Sequence, residues 1–94
     1  MDIGIISTGG SPDIVERYVQ TAEAAGFASL WTSEHVVFFE DYAPTYPYSA
    51  TGRPPMAADT AMMEPLNLLS FNAAKTKRIR LGTGVFLLPH RNPV

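Results

Sequence analysis

Within its first 32 residues the chain runs from a short apolar stretch, Ile3 to Ile6, through a segment of helical period into a second apolar stretch, Ala28 to Thr32. Apolar runs of this length, bounded by turn formers, read as strands buried on both faces, and such strands alternating with helices form parallel sheets covered by helices. The alternation therefore predicts an α/β fold before composition is considered. The intervening helix is marked at both ends. Ser11 stands where an N-cap belongs, Pro12 at the first helical position, and Gly26 just past the last turn. Between them Ile14, Val15, Tyr18, Val19, Ala22 and Ala25 recur at helical spacing, and Asp13 and Glu16 lie near the positive end of the dipole.

The second half repeats the pattern after an interruption. Residues 36–63 contain four prolines, three tyrosines, two phenylalanines and three methionines with no sustained period. A loop of that length inside a compact domain is uncommon and reads as a lid or binding loop, with a tolerated insertion as the plainer alternative. Glu64 and Pro65 then open a second helix in the cap and first-turn pattern. Leu66, Leu68, Leu69, Phe71 and Ala73 are expected to form its apolar face, with Lys75, Lys77 and Arg78 at its negative end. Residues 79–88, "IRLGTGVFLL", predict a third strand, and Asn92 with Pro93 the start of a further helix. Three strands cannot close a barrel, and a (β/α)8 barrel takes about 250 residues. The 94 residues are thus expected to form a single partial domain, the first part of something larger, with an insertion at 36–63.

Composition excludes more than it assigns. With 7 lysines plus arginines, a formal net charge of −2 and no basic run, the chain lacks the surface that nucleic acid or an anionic membrane would attract. It has no cysteine, hence no disulfide and no thiolate metal site, and no apolar run approaching the roughly 20 residues that span a bilayer. "MDIGIISTGG" carries an acid at position 2 and fits a first strand better than a signal peptide. A cytoplasmic protein acting on a small molecule is the expectation.

The residues that carry chemistry gather after the second strand. In a parallel α/β sheet, ligands and catalytic groups collect beyond the carboxyl ends of the strands, where Ser33, Glu34 and His35 fall. A histidine holds or releases a proton near neutral pH and a neighbouring carboxylate fixes its tautomer, although a histidine simply hydrogen-bonded at a loop start fits the same residues. Glu34, His35, Glu40, Asp41 and His90 supply donors for a metal without the spacing that places two ligands on one helical face, so no metal is expected. "STGGSP" before the first helix reads as a turn or an anion cradle, and Arg91 as solvent-facing or, being at the same end of the sheet as His35, as a phosphate ligand. The glycines of "GTGV", residues 82–85, mark a bulge, a bend or a close backbone approach.

Taken together, "AEAAGFASLWTSEH", the proline-rich loop and "EPLNLLSFNAAKTKRIRLGTGVFLLPHRNPV", in that order, resemble the N-terminal part of the luciferase-like monooxygenase superfamily, particularly its deazaflavin (coenzyme F420)-dependent oxidoreductases. The resemblance covers nearly the whole chain. It implies a TIM (β/α)8 barrel of which only the first three strands and two helices are present, with the cofactor ring across the carboxyl ends of the strands. It places Glu34 and His35 as the catalytic pair, Glu34 orienting His35, and His35 also facing the cofactor. It implies further cofactor contacts from Thr83, Gly84 and Val85, with a non-prolyl cis bond at Gly84–Val85 forming a bulge behind the ring.

The activity implied is hydride transfer between F420 and a small organic substrate, with this chain inactive by itself because the later strands would supply the phosphate contacts. Two other readings stay open. One is an FMN-dependent two-component monooxygenase, since the first three strands do not choose the cofactor. The other is a non-catalytic α/β module whose unpaired strand edges and uncovered apolar faces drive self-association into a homo-oligomer.

Overall fold

In the computed structural model, which describes residues 1–7 and 9–93, three strands and two helices follow one another in the expected order. β1 (Gly4–Ile6), α1 (Pro12–Ala24), β2 (Ser29–Thr32), α2 (Pro65–Lys75) and β3 (Arg80–Thr83) are succeeded by a 3-10 turn at Leu88–His90. The sheet is parallel with spatial order β1-β2-β3, so α1 and α2 each serve as the crossover that parallel neighbours require. No helix among the described residues is long and apolar enough to cross a membrane.

Register decides which side chains meet. Ile5 lies opposite Leu30, and Leu30 opposite Leu81, so one row of three aliphatic residues faces the helices. There Leu30 joins Val19, Ala22 and Ile79 in the buried cluster, with Ile5, Tyr18, Phe27 and Leu81 packed around it. The other row points away from both helices and stays open: Ile6 is 65% exposed and Trp31 42%. Glycine flanks this indole on both sides. A Cβ at Gly4 would approach Trp31 Nε1 to 2.8 Å and one at Gly82 would approach Cζ3 to 2.9 Å, so the ring lies across both neighbouring strands only because neither carries a side chain. With this face bare, the surface of 6825 Å² exceeds the about 5,300 Å² expected of a compact 10.2 kDa monomer.

α1 begins and ends as its sequence signals. Ser11 is the N-cap, although its carbonyl and not its hydroxyl meets the first amides, receiving Ile14 N and Val15 N at 3.0 Å each. At the other end Gly26 takes φ +84, Phe27 N–H donates to Ala22 O at 3.1 Å and Gly26 N–H to Glu23 O at 3.1 Å. This is the Schellman pattern, and the left-handed residue it needs is the glycine. Thr8 lies outside the described residues, and the helix start expected at Asn92 and Pro93 falls at their edge.

α2 starts at Pro65, with the Glu64 carboxylate accepting Asn67 N–H at 2.9 Å. Its inner face differs from the expected one. Pro65, Leu68 and Asn72, three and seven positions apart, form the buried stripe, while Leu66 is 47% exposed. The sheet lies on the Asn72 side, so a polar residue occupies a place that apolar counting gave to leucine. Lys75 fulfils its expectation in the last turn and pairs with Glu16 of α1 at 3.0 Å.

Lys77 and Arg78 lie beyond the helix, in a turn organised by a residue the sequence did not single out. Glu23 Oε1 accepts the backbone N–H groups of Lys77, Arg78 and Ile79 at 2.8, 2.6 and 2.9 Å. One carboxylate thereby ties the end of α1 to the approach of β3. These amides, Ile79 foremost, then Arg78 and Lys77, hold the Glu23 carboxyl down at about 2, against an ordinary value of 4.5. A carboxylate depressed in the folded state binds fewer protons there than in the unfolded chain, so stability rises with pH between the two values. The contribution is complete above 4.5 and is lost as pH falls towards 2. Urea midpoints taken across that acid range should show this slope in the unaltered chain and a flatter one in Glu23→Gln; identical slopes would mean that the clamp carries no linkage.

The third strand is shorter than residues 79–88. Gly84 N–H still donates to Thr32 O at 2.7 Å, but β2 has ended there, and Leu87 N–H turns to the Glu34 carboxylate at 2.7 Å. Without a neighbouring strand to continue the ladder, the chain bends into the 3-10 turn. The Gly84–Val85 bond is trans, as are all peptide bonds among the described residues. A cis non-prolyl bond costs about 3 to 4 kcal/mol and persists only where surroundings enforce it, whereas Val85 here is 55% exposed.

Candidate functional site

Beyond the carboxyl ends of β1 and β2, residues 56–63 of the long loop fold back and leave two clefts. The smaller, about 310 Å³, is lined by Glu34, His35 and Val36 after β2, by Glu64 and Pro65 at the start of α2, and by His90 and Arg91 after β3. The larger, about 450 Å³, lies beside Ile6, Ser7, Gly9 and Gly10 after β1, with Ser33, Met56, Thr60 and Leu68 around it. Met62 and Met63 line both and so form the wall between them. The sizes fall near the lower end of the range for small-molecule sites, about 300 to 1,000 Å³. The loop reaches this place as a locally braced segment: Tyr46 N–H donates to Gly52 O at 2.7 Å, and Arg53 pairs with Asp41 at 3.2 Å.

A chain of charges holds the smaller cleft together. Glu34 has a side chain only 7% exposed. Its Oε2 accepts Leu87 N–H and its Oε1 pairs with Arg91 Nη2. Arg91 Nη1 stands 2.6 Å from Glu64 Oε1, and Glu64 Oε2 caps α2 through Asn67 N–H. The guanidinium also lies over the Phe86 ring, 4.7 Å from its centroid. The exit of β2, the start of α2 and the segment after β3 are thus joined by two carboxylates sharing one arginine.

This geometry revises several expectations. Glu34 and His35 are brought to the cleft together but not to each other, because both oxygens of Glu34 are taken. His35 sits exposed on the rim, its ring stacked on Phe38 at 5.3 Å and 21°. Arg91, read as solvent-facing or as a phosphate ligand, is instead occupied by Glu34 and Glu64. Thr83 ends β3, and Gly84 and Val85 follow it at the same end of the sheet, but the three line neither cleft. Gly84 also leaves room for a side chain, since a Cβ there would meet only Thr32 O, at 3.6 Å, and Trp31 Cβ, at 4.0 Å. Among the described residues no group of three or more histidines, aspartates or glutamates is gathered closely enough to hold a metal ion.

Sequence reasoning weighed His90 only as a metal donor, left Met62 and Met63 unnamed within the loop, and missed the second role of Glu64. A glutamate before a proline at a helix start signals a cap, which Glu64 is; nothing local signals that its other oxygen meets Arg91. The donor set of the larger cleft suits one face of a flat, partly polar ring, with hydroxyls of Ser33 and Thr60 among apolar walls. Among the described residues no lysine or arginine lines that cleft, so a phosphate attached to such a ring would meet no cation from them there.

A family model described as luciferase-like monooxygenase matches residues 3–94. No curated protein and no solved structure matches the chain.

Proposed function

The chain belongs to the luciferase-like monooxygenase family, and from that premise we propose that it forms the cofactor-facing part of a barrel oxidoreductase that moves hydride between the deazaflavin coenzyme F420 and a small organic substrate. The observation that carries this reading is the pair of adjoining clefts beyond the strand ends, with His35 on the rim of the smaller one. The ring is assigned to the larger cleft and the substrate to the smaller. When bound, the deazaflavin supplies a two-electron hydride donor or acceptor.

The residues of the chain do the rest. Met56 and Met63 cover the ring and exclude water, and the Ser33 and Thr60 hydroxyls offer hydrogen bonds to its polar edge. Thr83, Gly84 and Val85, which line neither cleft, are given no contact with the ring. Nε2 of His35, the ring nitrogen farther from the backbone, holds or returns the proton of the substrate oxygen. Glu34 is a positioning residue: it fixes the rim through Arg91 and Leu87 and takes no proton.

Fluorescence titration of the chain with F420 and, in parallel, with FMN tests the reading, with light scattering to report the expected self-association. Saturable binding of F420 is the expected result. Saturation by FMN alone would replace hydride transfer with oxygen-using chemistry, and binding of neither would overturn the assignment of the larger cleft. In turnover with F420 by a full-length barrel that contains this segment, His35→Ala should lower kcat by about 10²- to 10⁴-fold, the usual contribution of a positioned acid or base, with ring affinity unchanged. Equal loss of both would make His35 structural.

A further inference from the structure

The smaller cleft has a charge balance that selects among substrates. Arg91 is the one cationic side chain among its described lining residues, apart from the imidazoles, and both of its terminal nitrogens face carboxylates, Nη2 on Glu34 and Nη1 on Glu64. With the imidazoles neutral, two carboxylates against one guanidinium leave a formal charge of −1. A phosphate or carboxylate entering the cleft would meet this net negative charge and would have to displace a carboxylate from Arg91 to gain a partner.

Neither carboxylate is free to receive a cation. The oxygens of Glu34 are taken by Leu87 N–H and Arg91 and Glu64 Oε2 by Asn67 N–H, while Glu64 Oε1 is buried against the Arg91 guanidinium as an ion pair without a hydrogen bond. Glu64 Oε1 and Arg91 Nε make no hydrogen bond but are buried out of reach of a ligand, so the polar groups open to one are the His35 and His90 rings, neither of which has a hydrogen-bond partner among the described residues. Opposite them Val36, Met62, Met63 and Pro65 present apolar walls. A neutral imidazole donates to a hydroxyl or carbonyl oxygen, or accepts from a hydroxyl, without requiring charge on the ligand.

We infer that the smaller cleft takes a compact, uncharged and largely apolar alcohol or ketone, bound through its oxygen by His35 and His90, and rejects phosphorylated and carboxylated analogues. The inference names the substrate class of the oxidoreductase proposed above and rests on that reading for the word substrate; the preference of the cleft follows from Glu34, Glu64 and Arg91 alone. It makes Glu64 a specificity residue as well as a helix cap.

The test is an NMR titration of the chain that follows the imidazole resonances of both histidines against cyclohexanol, cyclohexanone and cyclohexyl phosphate. The alcohol and the ketone should shift both rings saturably, with the phosphate at least about tenfold weaker, a modest figure for one uncompensated like charge in a partly desolvated cleft. Glu64→Gln, which releases one carboxylate from Arg91, should narrow that gap by improving phosphate binding. Phosphate binding as tightly as the alcohol in the unaltered chain, or no shift with any of the three, overturns the inference whether or not the variant folds. The outcome is separable from that of the cofactor titration. Failure of F420 to bind would remove the ring while leaving this ligand preference measurable, and a preference for phosphate would leave ring binding untouched.

Discussion

Arg91→Ala should destabilise the chain and loosen the rim that carries His35. The substitution leaves the Glu34 carboxylate, 7% exposed, with a single backbone donor and no counter-charge, and removes the cation from above Phe86. Removing one partner of a fully buried ion pair costs about 3 to 5 kcal/mol. Arg91 is 25% exposed, and water reaching Glu34 through the vacated space should reduce the loss to about 2 kcal/mol. Urea denaturation measures it. Arg91→Met, which keeps the apolar stem over Phe86, separates lost packing from lost charge: a loss near that of alanine assigns the effect to the guanidinium, and recovery assigns it to the stem. A change below about 0.5 kcal/mol in both variants would show that the bridge behaves as an exposed ion pair.

Leu30→Ala is expected to cost more. Leu30 is 0% exposed, sits in the central strand between Ile5 and Leu81, and closes the cluster with Val19, Ala22 and Ile79. Truncating a leucine in such a place costs about 2 to 5 kcal/mol, depending on how far the neighbours collapse into the space. Per-residue scaling gives a chain of this length about 5 to 14 kcal/mol in all, and the open sheet face argues for the lower end. The variant should therefore lose cooperative unfolding at ambient temperature, visible as a thermal transition that broadens or disappears by circular dichroism. Retention of a transition within a few degrees of the unaltered chain would place the stabilising core elsewhere.

The two substitutions differ in how far they could be foreseen. Leu30 lies in a five-residue apolar run after a helix stop, and its burial follows from period and position. Arg91 stands among turn formers, and its sequence context carries no sign of Glu34, 57 positions away. Glu23 is similar. It occupies an ordinary last-turn position of an amphipathic helix, and only the approach of residues 77–79 turns it into an acceptor for three amides. His35 lies between these cases. Its place beyond a strand end was legible, while its exposure, its stacking on Phe38 and its separation from Glu34 were not.

By itself the sequence determined the order of elements, their caps and the end of the sheet at which the site stands. Those features depend on residues within a turn or a strand of one another: Ser11 with Pro12, Glu64 with Asn67, Gly26 with Glu23, and the alternation of apolar runs with helical period. The tertiary structure decided which charges meet, where β3 stops and which face of α2 is buried. Each of these depends on distances between segments far apart in the chain, and a carboxylate within reach of a guanidinium or a backbone amide overrides what either residue would do in its own segment.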